Sequence, residues 1–339
     1  MEADGSAVEV ESLEAVPIGV EAVAHRVVQG GRRFGAATRI DDGVVEELER
    51  LSELAPLHNR PALAAIDEAR RALPDVPHVA VFDTAFHRTI PAEAATYAVP
   101  RRWREEWEVR RYGFHGLSVQ WAAERVRAKR LVVCHLGGGC SVSAVLDGRS
   151  IETTMGFSPL EGVPMATRAG SIDPEIVLYL LRHRFLSPQE IEDALERESG
   201  LLGLSGRSAR VEELEASPDP DARLALDVFV HRVAGAVGTM AVALGGLDAL
   251  VFTAGVGENS PAIREQVCER LGFLGVRLDP AANAVAHPDA DVGASGSPVR
   301  VVVLRAREDL VAARAARELL GLAAQQGVEP FERAGRLHE

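Results

Sequence analysis

At 339 residues, with 47% hydrophobic and 26% charged residues, the chain has ordinary globular composition and enough length for about two domains with substantial cores. Its formal net charge of −13 speaks against nucleic acid or an anionic membrane surface as a partner, so an anionic ligand must be held by local positive groups. Cys134, Cys140 and Cys268 have neither CxxC spacing nor an even count, which speaks against a disulfide framework or a zinc site and reads as reduced, mostly buried thiols.

No run reaches the ~18 apolar residues of a membrane span. The opening MEADGSAVEVESLEAV is acidic where a secretory signal is basic and then apolar, so the expected location is the cytoplasm. From Asp41 to Leu73 the apolar residues recur at helical spacing, broken by APLHNRPAL, where Pro56 and Pro61 mark a loop before a second helix. His78 to Phe82 reads as a short buried strand with Asp83 at its end. PRRWREEWEVRRYGFHG alternates arginine with glutamate and reads as a solvated connector into a helix beginning near Leu117.

RLVVCHL, SVSAVLDGRSI and the following TTMGFSPLEG resemble a β-meander, with Asp147-Gly148 as a tight hairpin turn. Helical periodicity then covers Pro174 to Phe185, Ser187 to Glu198 and Asp219 to Leu244. DALVFTAGVGENS is expected to be a strand, a glycine-rich turn and a helix starting at Pro261 with Ser260 as its cap. VRVVVLRARED supplies a last strand, an Ala/Arg-rich helix ends in LLG, and the tail beyond Ala323 is expected to be loosely held.

Three consecutive glycines, Gly137 to Gly139, interrupt an apolar strand, and residues without Cβ there let something approach the backbone. GVGENS, before a helix, brings backbone N–H groups to one point, and two such glycine-rich turns suit a polyphosphate such as ATP lying between two lobes. Arg168, among small residues in ATRAGSIDPE, can hold a transferring phosphoryl group, or cap a loop carbonyl. Arg26 beside Val27 and Val28 fits a short carboxylate. His58, His87 and His115 lie in or beside loops, where a structural role is as natural as a catalytic one. Asp83 and Glu308 are acids that could serve a metal-bound group and Mg²⁺.

HRVVQGG, APLHN, VFDTAFH, RRYGFHG, CHLGGGCS, TTMGFSPLEGVPMATRAGSIDP, ESGLLGLSG, LALDVF and VFTAGVGENS occur in the order found in acetate kinases and the related propionate and butyrate kinases, which the chain resembles from about Ala22 to Leu320. The resemblance implies an α/β fold of two actin-like (ribonuclease H-like) domains with a cleft between them. Residues 1–84 with 306–339 would form a truncated first domain, and 85–305 a nucleotide-binding and dimerisation domain. It also implies ATP or ADP as co-substrate, Mg²⁺ or Mn²⁺, acetate or another short carboxylate as substrate, and a homodimer.

Position by position, Arg26 would bind the carboxylate, and Val28, Leu57, Phe114 and Pro159 would form the pocket limiting acyl length. Asp83, His115, Arg168 and His58 would be catalytic. His135, Gly137, Gly138, Gly139, Gly255, Val256, Gly257, Glu258 and Asn259 would bind the nucleotide, and Glu308 the metal. Departures from the family pattern are Gly138 for asparagine, Gln29 for histidine, Ser171 for an acid, and Arg210, Val211 and Glu212 for an Asp-Met-Arg type triplet. The family's opening strand and Asn-Ala-Gly-Ser-Ser-Ser-Leu-Lys type loop have no counterpart here. A start codon placed too far downstream is the favoured expectation, and a truncated, catalytically weak or regulatory relative the alternative.

Overall fold

The computed structural model describes residues 19–52 and 56–322, with the backbone alone for 56–58. Strands β1 (Val23–Val27), β2 (Thr38–Arg39) and β3 (His78–Phe82) form one sheet in the order β1-β3-β2, β1 running parallel and β2 antiparallel to β3. A second sheet orders β4 (Arg130–Leu136), β5 (Cys140–Leu146), β6 (Arg149–Thr153), β7 (Ala249–Thr253), β8 (Ala290–Asp291) and β9 (Arg300–Val303) as β6-β5-β4-β7-β9-β8. Its β4–β5–β6 meander is antiparallel, whereas β4, β7 and β9 run parallel.

Helices α1 (Asp42–Leu51) and α2 (Pro56–Ala72) lie between β2 and β3; α3 (Ala92–Ala95) and α4 (Arg101–Glu106) lead to α5 (Gly116–Val126). After β6 come α6 (Pro174–Tyr179), α7 (Pro188–Arg197), α8 (Gly200–Ser205), α9 (Val211–Glu215) and α10 (Pro220–Leu244). Helix α11 (Ala254–Asn259) leaves β7 directly, α12 (Pro261–Arg270) and α13 (Pro280–Ala284) follow, and α14 (Glu308–Leu320) comes after β9.

The two-residue period of a strand sorts side chains into separate cores. On β3, Ala80 and Phe82 join Val27 against Leu48, Leu51 and Ile66 of α1 and α2, while Val79 and Val81 face α5 and α14. On β4, Leu131 and Val133 meet the same two helices, and Val132, Cys134 and Leu136 turn to the opposite core, shared with Phe229, Val233 and Val237 of α10. Helices α5 and α14 are thus packed between the two sheets. By length and composition α10 could cross a membrane, yet Phe229, Val230, Val233 and Val237 are wholly buried in this core.

Most expected elements form where the pattern put them. The buried strand His78–Phe82, the helix starting near Leu117 and the meander with its Asp147-Gly148 turn are all present, that turn at φ 48° and 79°. Three details differ. The expected loop at APLHNRPAL is helical from Pro56, with Pro61 inside α2; burial of Ile66 and Ala69 outweighs the one N–H that Pro61 lacks. The meander's third strand ends at Thr153, so MGFSPLEG is irregular. The expected glycine-rich turn at GVGENS is the short helix α11. Ala254 turns the chain at φ 66°, the Glu258 carboxylate accepts from the Ala254 N–H at 3.0 Å, and Arg264 donates to the carbonyls of Gly257 and Glu258 at 3.0 and 2.9 Å. Both helix ends are therefore satisfied by fixed side chains rather than by propensity. Ser260 caps α12 as expected, accepting from the Ile263 N–H. The tail beyond Ala323 lies outside the described residues.

Phe252 sits on central β7 with no exposed surface. Phe252→Ala is expected to destabilise the protein by about 3–5 kcal/mol, read as a lower urea midpoint.

Candidate active site

β1 and β3 run parallel, so their C-terminal ends deliver Arg26 and Asp83 to the same place. The Asp83 N–H donates to the Val27 carbonyl at 3.0 Å, and its side chain is buried. Arg26 grips that carboxylate in a fork, Nε to Oδ1 at 2.9 Å and Nη2 to Oδ2 at 2.7 Å, while Nη1 reaches Glu308 Oε2 at 2.5 Å. Glu308 opens α14, which brings the far end of the chain back to β1. Burial works against the Arg26 charge, but Asp83 and then Glu308 outweigh it, and the Arg26 pKa lies above its ordinary value.

Glu308 is pushed up to about 7, first by burial, with Arg26 pulling the other way and Asp83 adding to the rise. Its Oε1 is buried with no hydrogen-bond partner among the described residues. Among those residues no group of three or more His, Cys, Asp or Glu side chains could hold a metal ion by itself. The orphaned Oε1 beside Asp83 fits a hard divalent cation that takes one or two carboxylates and draws its other ligands from phosphate and water.

The second half of the site hangs on α5 and the β4–β5 hairpin. His115 precedes α5 at φ 58° and ψ 24°, a left-handed conformation that a non-glycine residue adopts at a cost and that clusters at functional sites. Its ring stacks on that of His135, the centroids 4.0 Å apart. Nδ1 of His115 lies 3.0 Å from Ser141 Oγ, and Nδ1 of His135 lies 2.8 Å from Ser118 Oγ. Burial first, then His135, Arg26, Arg168 and His87, hold His115 well below the ordinary histidine range. Burial, then Arg26, holds His135 down to about 3, so both imidazoles are neutral at pH 7.

Arg168 donates from Nη1 to the Pro159 carbonyl at 2.8 Å, and its Nε lies 3.8 Å from a Glu196 carboxylate oxygen. Burial lowers the Arg168 pKa and Glu196 offsets part of that, but a guanidinium keeps its proton. The glycine loop explains how these groups converge. A Cβ on Gly139 would come within 3.0 Å of Arg168 Nη2 and 3.2 Å of His115 Nε2. One on Gly137 would meet Ala254 Cβ at 3.4 Å, and one on Gly138 would meet nothing within 4 Å. Only Gly139 is bare because catalytic-type side chains close over it, and Gly137 brings the loop against α11.

Phe114 and Pro159 are buried and Val28 is half-buried, packing against the core that contains Phe114. Leu57 and His58 lie outside the residues whose side chains are described. His87 is fully buried between Ser150 Oγ and the Phe114 carbonyl, a structural histidine. On α11, Glu258 spends its carboxylate on the N–H groups of Ala254 and Ala306, and Asn259 donates to the Gly255 carbonyl. The carbonyls of Gly257 and Glu258 are taken by Arg264. Sequence reasoning missed Ser118, Ser141, Glu196 and Arg264. Polar residues inside otherwise apolar strands or helices, such as Ser141 at the start of CSVSAVL, were the available signal, because a buried hydroxyl needs a partner.

The model of the acetokinase family matches residues 8–314. The acetate kinase of Nostoc punctiforme is 46% identical over 301 residues, 86% of this chain and 74% of that protein. The chain belongs to the acetokinase family. The acetate kinase of Thermosipho africanus is 40% identical over 92% of the chain and 79% of its own length. Crystal structures of a propionate kinase from Francisella tularensis (37% identity, TM-score 0.83, covering 88% of this chain and 79% of that one) and of the acetate kinase from Entamoeba histolytica (33%, TM-score 0.84, 90% and 82%) share the fold. Of the departures from the family pattern, Gly138 stands in open space, Gln29 Oε1 accepts from the Gly31 N–H at 2.9 Å, and Ser171 Oγ accepts from the Gly162 N–H at 3.1 Å. Arg210 is tied to the exposed Glu212 and Glu213.

Glu308 loses its proton near pH 7 in the folded chain against an ordinary 4.5, so the unfolded state releases it first. Stability tied to the protonated form is complete below about pH 4.5 and is lost as pH rises towards about 7. Glu308→Gln is expected to remove that loss, so its melting temperature should exceed that of the parent above pH 7 and converge with it in acid. A variant no more stable than the parent at pH 8 contradicts the assignment.

Proposed function

We propose that this chain is an acetate kinase, transferring the γ-phosphoryl group of ATP to a carboxylate oxygen of acetate to give acetyl phosphate and ADP, reversibly. The observation that carries the reading is the convergence of Arg168 Nη2 and His115 Nε2 over bare Gly139, a site for a phosphoryl group beside a second cation, Arg26. Membership of the family supports the same reaction.

A carboxylate is already ionised at neutral pH and needs no general base, so the protein supplies position and charge neutralisation. Arg26 orients the carboxylate, with Val28, Phe114, Pro159 and Leu57 bounding its methyl group. Asp83 holds Arg26 in place and lies against the substrate and the metal, with His58 nearby. The carboxylate oxygen forms its bond to phosphorus as the bond to the ADP oxygen breaks. Arg168 and the neutral His115 take up the charge on the equatorial oxygens. His135 and Gly137 to Gly139 serve the phosphates, and Gly255 to Asn259 line the nucleotide. Glu308 would hold Mg²⁺, or Mn²⁺ in its place, which offsets charge on the nucleotide phosphates when bound.

Residues 1–84 with 306–339 as one lobe and 85–305 as the other remain the proposed division; the packing of α14 against β1 and β3 supports it. A homodimer is proposed through the segment from Ile172 to Phe185, where Ile176, Tyr179 and Phe185 are exposed. Three buried free thiols suit a reducing compartment, the cytoplasm.

Hydroxamate trapping with MgATP and acetate, propionate or butyrate tests the reading and ranks the substrates. Arg168→Ala should cut kcat by about 10²–10³-fold, and Arg26→Ala should raise KM for the carboxylate. No acyl phosphate from the folded parent overturns it, in favour of a binding or regulatory role. Gly139→Ala should cost about tenfold or more in kcat by displacing Arg168 and His115.

A further inference from the structure

The stacked histidines carry a second piece of information, in what holds their outer nitrogens. His115 belongs to the N-terminus of α5 and is held by Ser141 of β5; His135 belongs to β4 and is held by Ser118 of α5. Each serine therefore comes from the structural unit opposite its own histidine, and both are buried. Among the described residues neither hydroxyl has another hydrogen-bond partner.

A neutral imidazole has one N–H, and which nitrogen bears it is set by the partner of the other. Were Nδ1 of His115 to donate to Ser141, the Ser141 hydroxyl hydrogen would be left buried with no acceptor, the expensive arrangement. If the hydroxyl donates instead, both the hydroxyl hydrogen and Nδ1 are satisfied, and the ring proton lies on Nε2, where it is left for a ligand. That nitrogen is the one 3.2 Å from where a Cβ on Gly139 would stand. The same argument for Ser118 puts the His135 proton on Nε2, 3.8 Å from the Cβ position of Gly137.

We propose that Ser141 is a positioning residue: it fixes His115 as the Nε2–H tautomer, so that a neutral N–H donor points at the phosphoryl site over Gly139 beside Arg168. This rests on the kinase reading and deepens it. The groups acting on His115 are His135, Arg26, Arg168 and His87; the nearby acid, Asp83, has both carboxylate oxygens on Arg26, so no unpaired acid favours a second ring proton. His115 thus acts as a hydrogen-bond donor whose charge does not change. Arg168 supplies the positive charge. Without Ser141 the ring would share its proton between two nitrogens, and the productive donor would be present only part of the time.

The test is ¹H–¹⁵N long-range NMR of the full-length protein with labelled histidine, the His115 signals being assigned by their loss in His115→Gln. The parent should show a pyridine-type Nδ1 and a pyrrole-type Nε2 for His115, unchanged from pH 6 to 8.5. Ser141→Ala should shift both resonances towards a tautomer mixture and lower kcat about tenfold, the worth of one net hydrogen bond, with KM for acetate and ATP unchanged. Ser141→Thr should restore the signature and the rate. A parental Nδ1–H tautomer, or a Ser141→Ala protein that keeps both the signature and kcat, overturns the proposal. The parental spectrum decides the tautomer even if Ser141→Ala does not fold. Absence of acyl phosphate formation by the parent would instead overturn the kinase reading, leaving the NMR result to stand by itself.

Discussion

The fork between Arg26 and Asp83 is the interaction on which the site depends. Asp83 is 1% exposed, and a buried carboxylate without a partner would cost several kcal/mol, roughly 3–5 if the pair were broken by removing one member. The pairing therefore fixes more than a contact: it holds the ends of β1 and β3 together and presents the remaining guanidinium face to Glu308 at the start of α14. Three segments far apart in sequence are tied by one cation. In a chain of net charge −13 this is also how a positive group persists in the cleft, since its partners are fixed acids and not solvent ions.

Positive charge and hydrogen-bond donation are divided between different residues around the glycine loop. Arg168 is oriented by a carbonyl and a distant carboxylate, so most of its charge is unspent. His115 and His135 stack at 4.0 Å, too close for both to be charged, and are held neutral by burial and by the surrounding arginines. A neutral donor beside a fixed cation offers the same environment throughout the neutral pH range. The thiol of Cys140, pushed up to about 12 by burial, adds no reactive group to the loop.

Much of this was legible in the sequence. The strands His78–Phe82 and RLVVCHL, the Asp147-Gly148 hairpin and the Ser260 cap follow from two-residue alternation and local turn chemistry, which act over a few residues. GVGENS was read as a turn because two glycines lower helix propensity; Arg264 and Glu258, which stabilise its ends, come from the following helix and from within the segment itself. Pro61 was read as a breaker for the same local reason, and the burial of Ile66 decided otherwise. For the site, the ordered motifs singled out Arg26, Asp83, His115, Arg168 and Glu308, while the serines that hold the histidines gave only the faint signal of polar residues in apolar runs.

By itself, then, the sequence determined the family, the α/β class and the residue types able to bind a phosphoryl group and a carboxylate, because motifs and periodicity are properties of contiguous chain. Tertiary structure alone decided that Arg26 is shared between Asp83 and Glu308, that a side chain would crowd its neighbours at Gly139 and not at Gly138, and that each histidine is held by a serine from the facing element. Those are relations between groups separated by tens to hundreds of residues. They are set by how α5 and α14 pack between two sheets, a matter of long-range burial that no local pattern encodes.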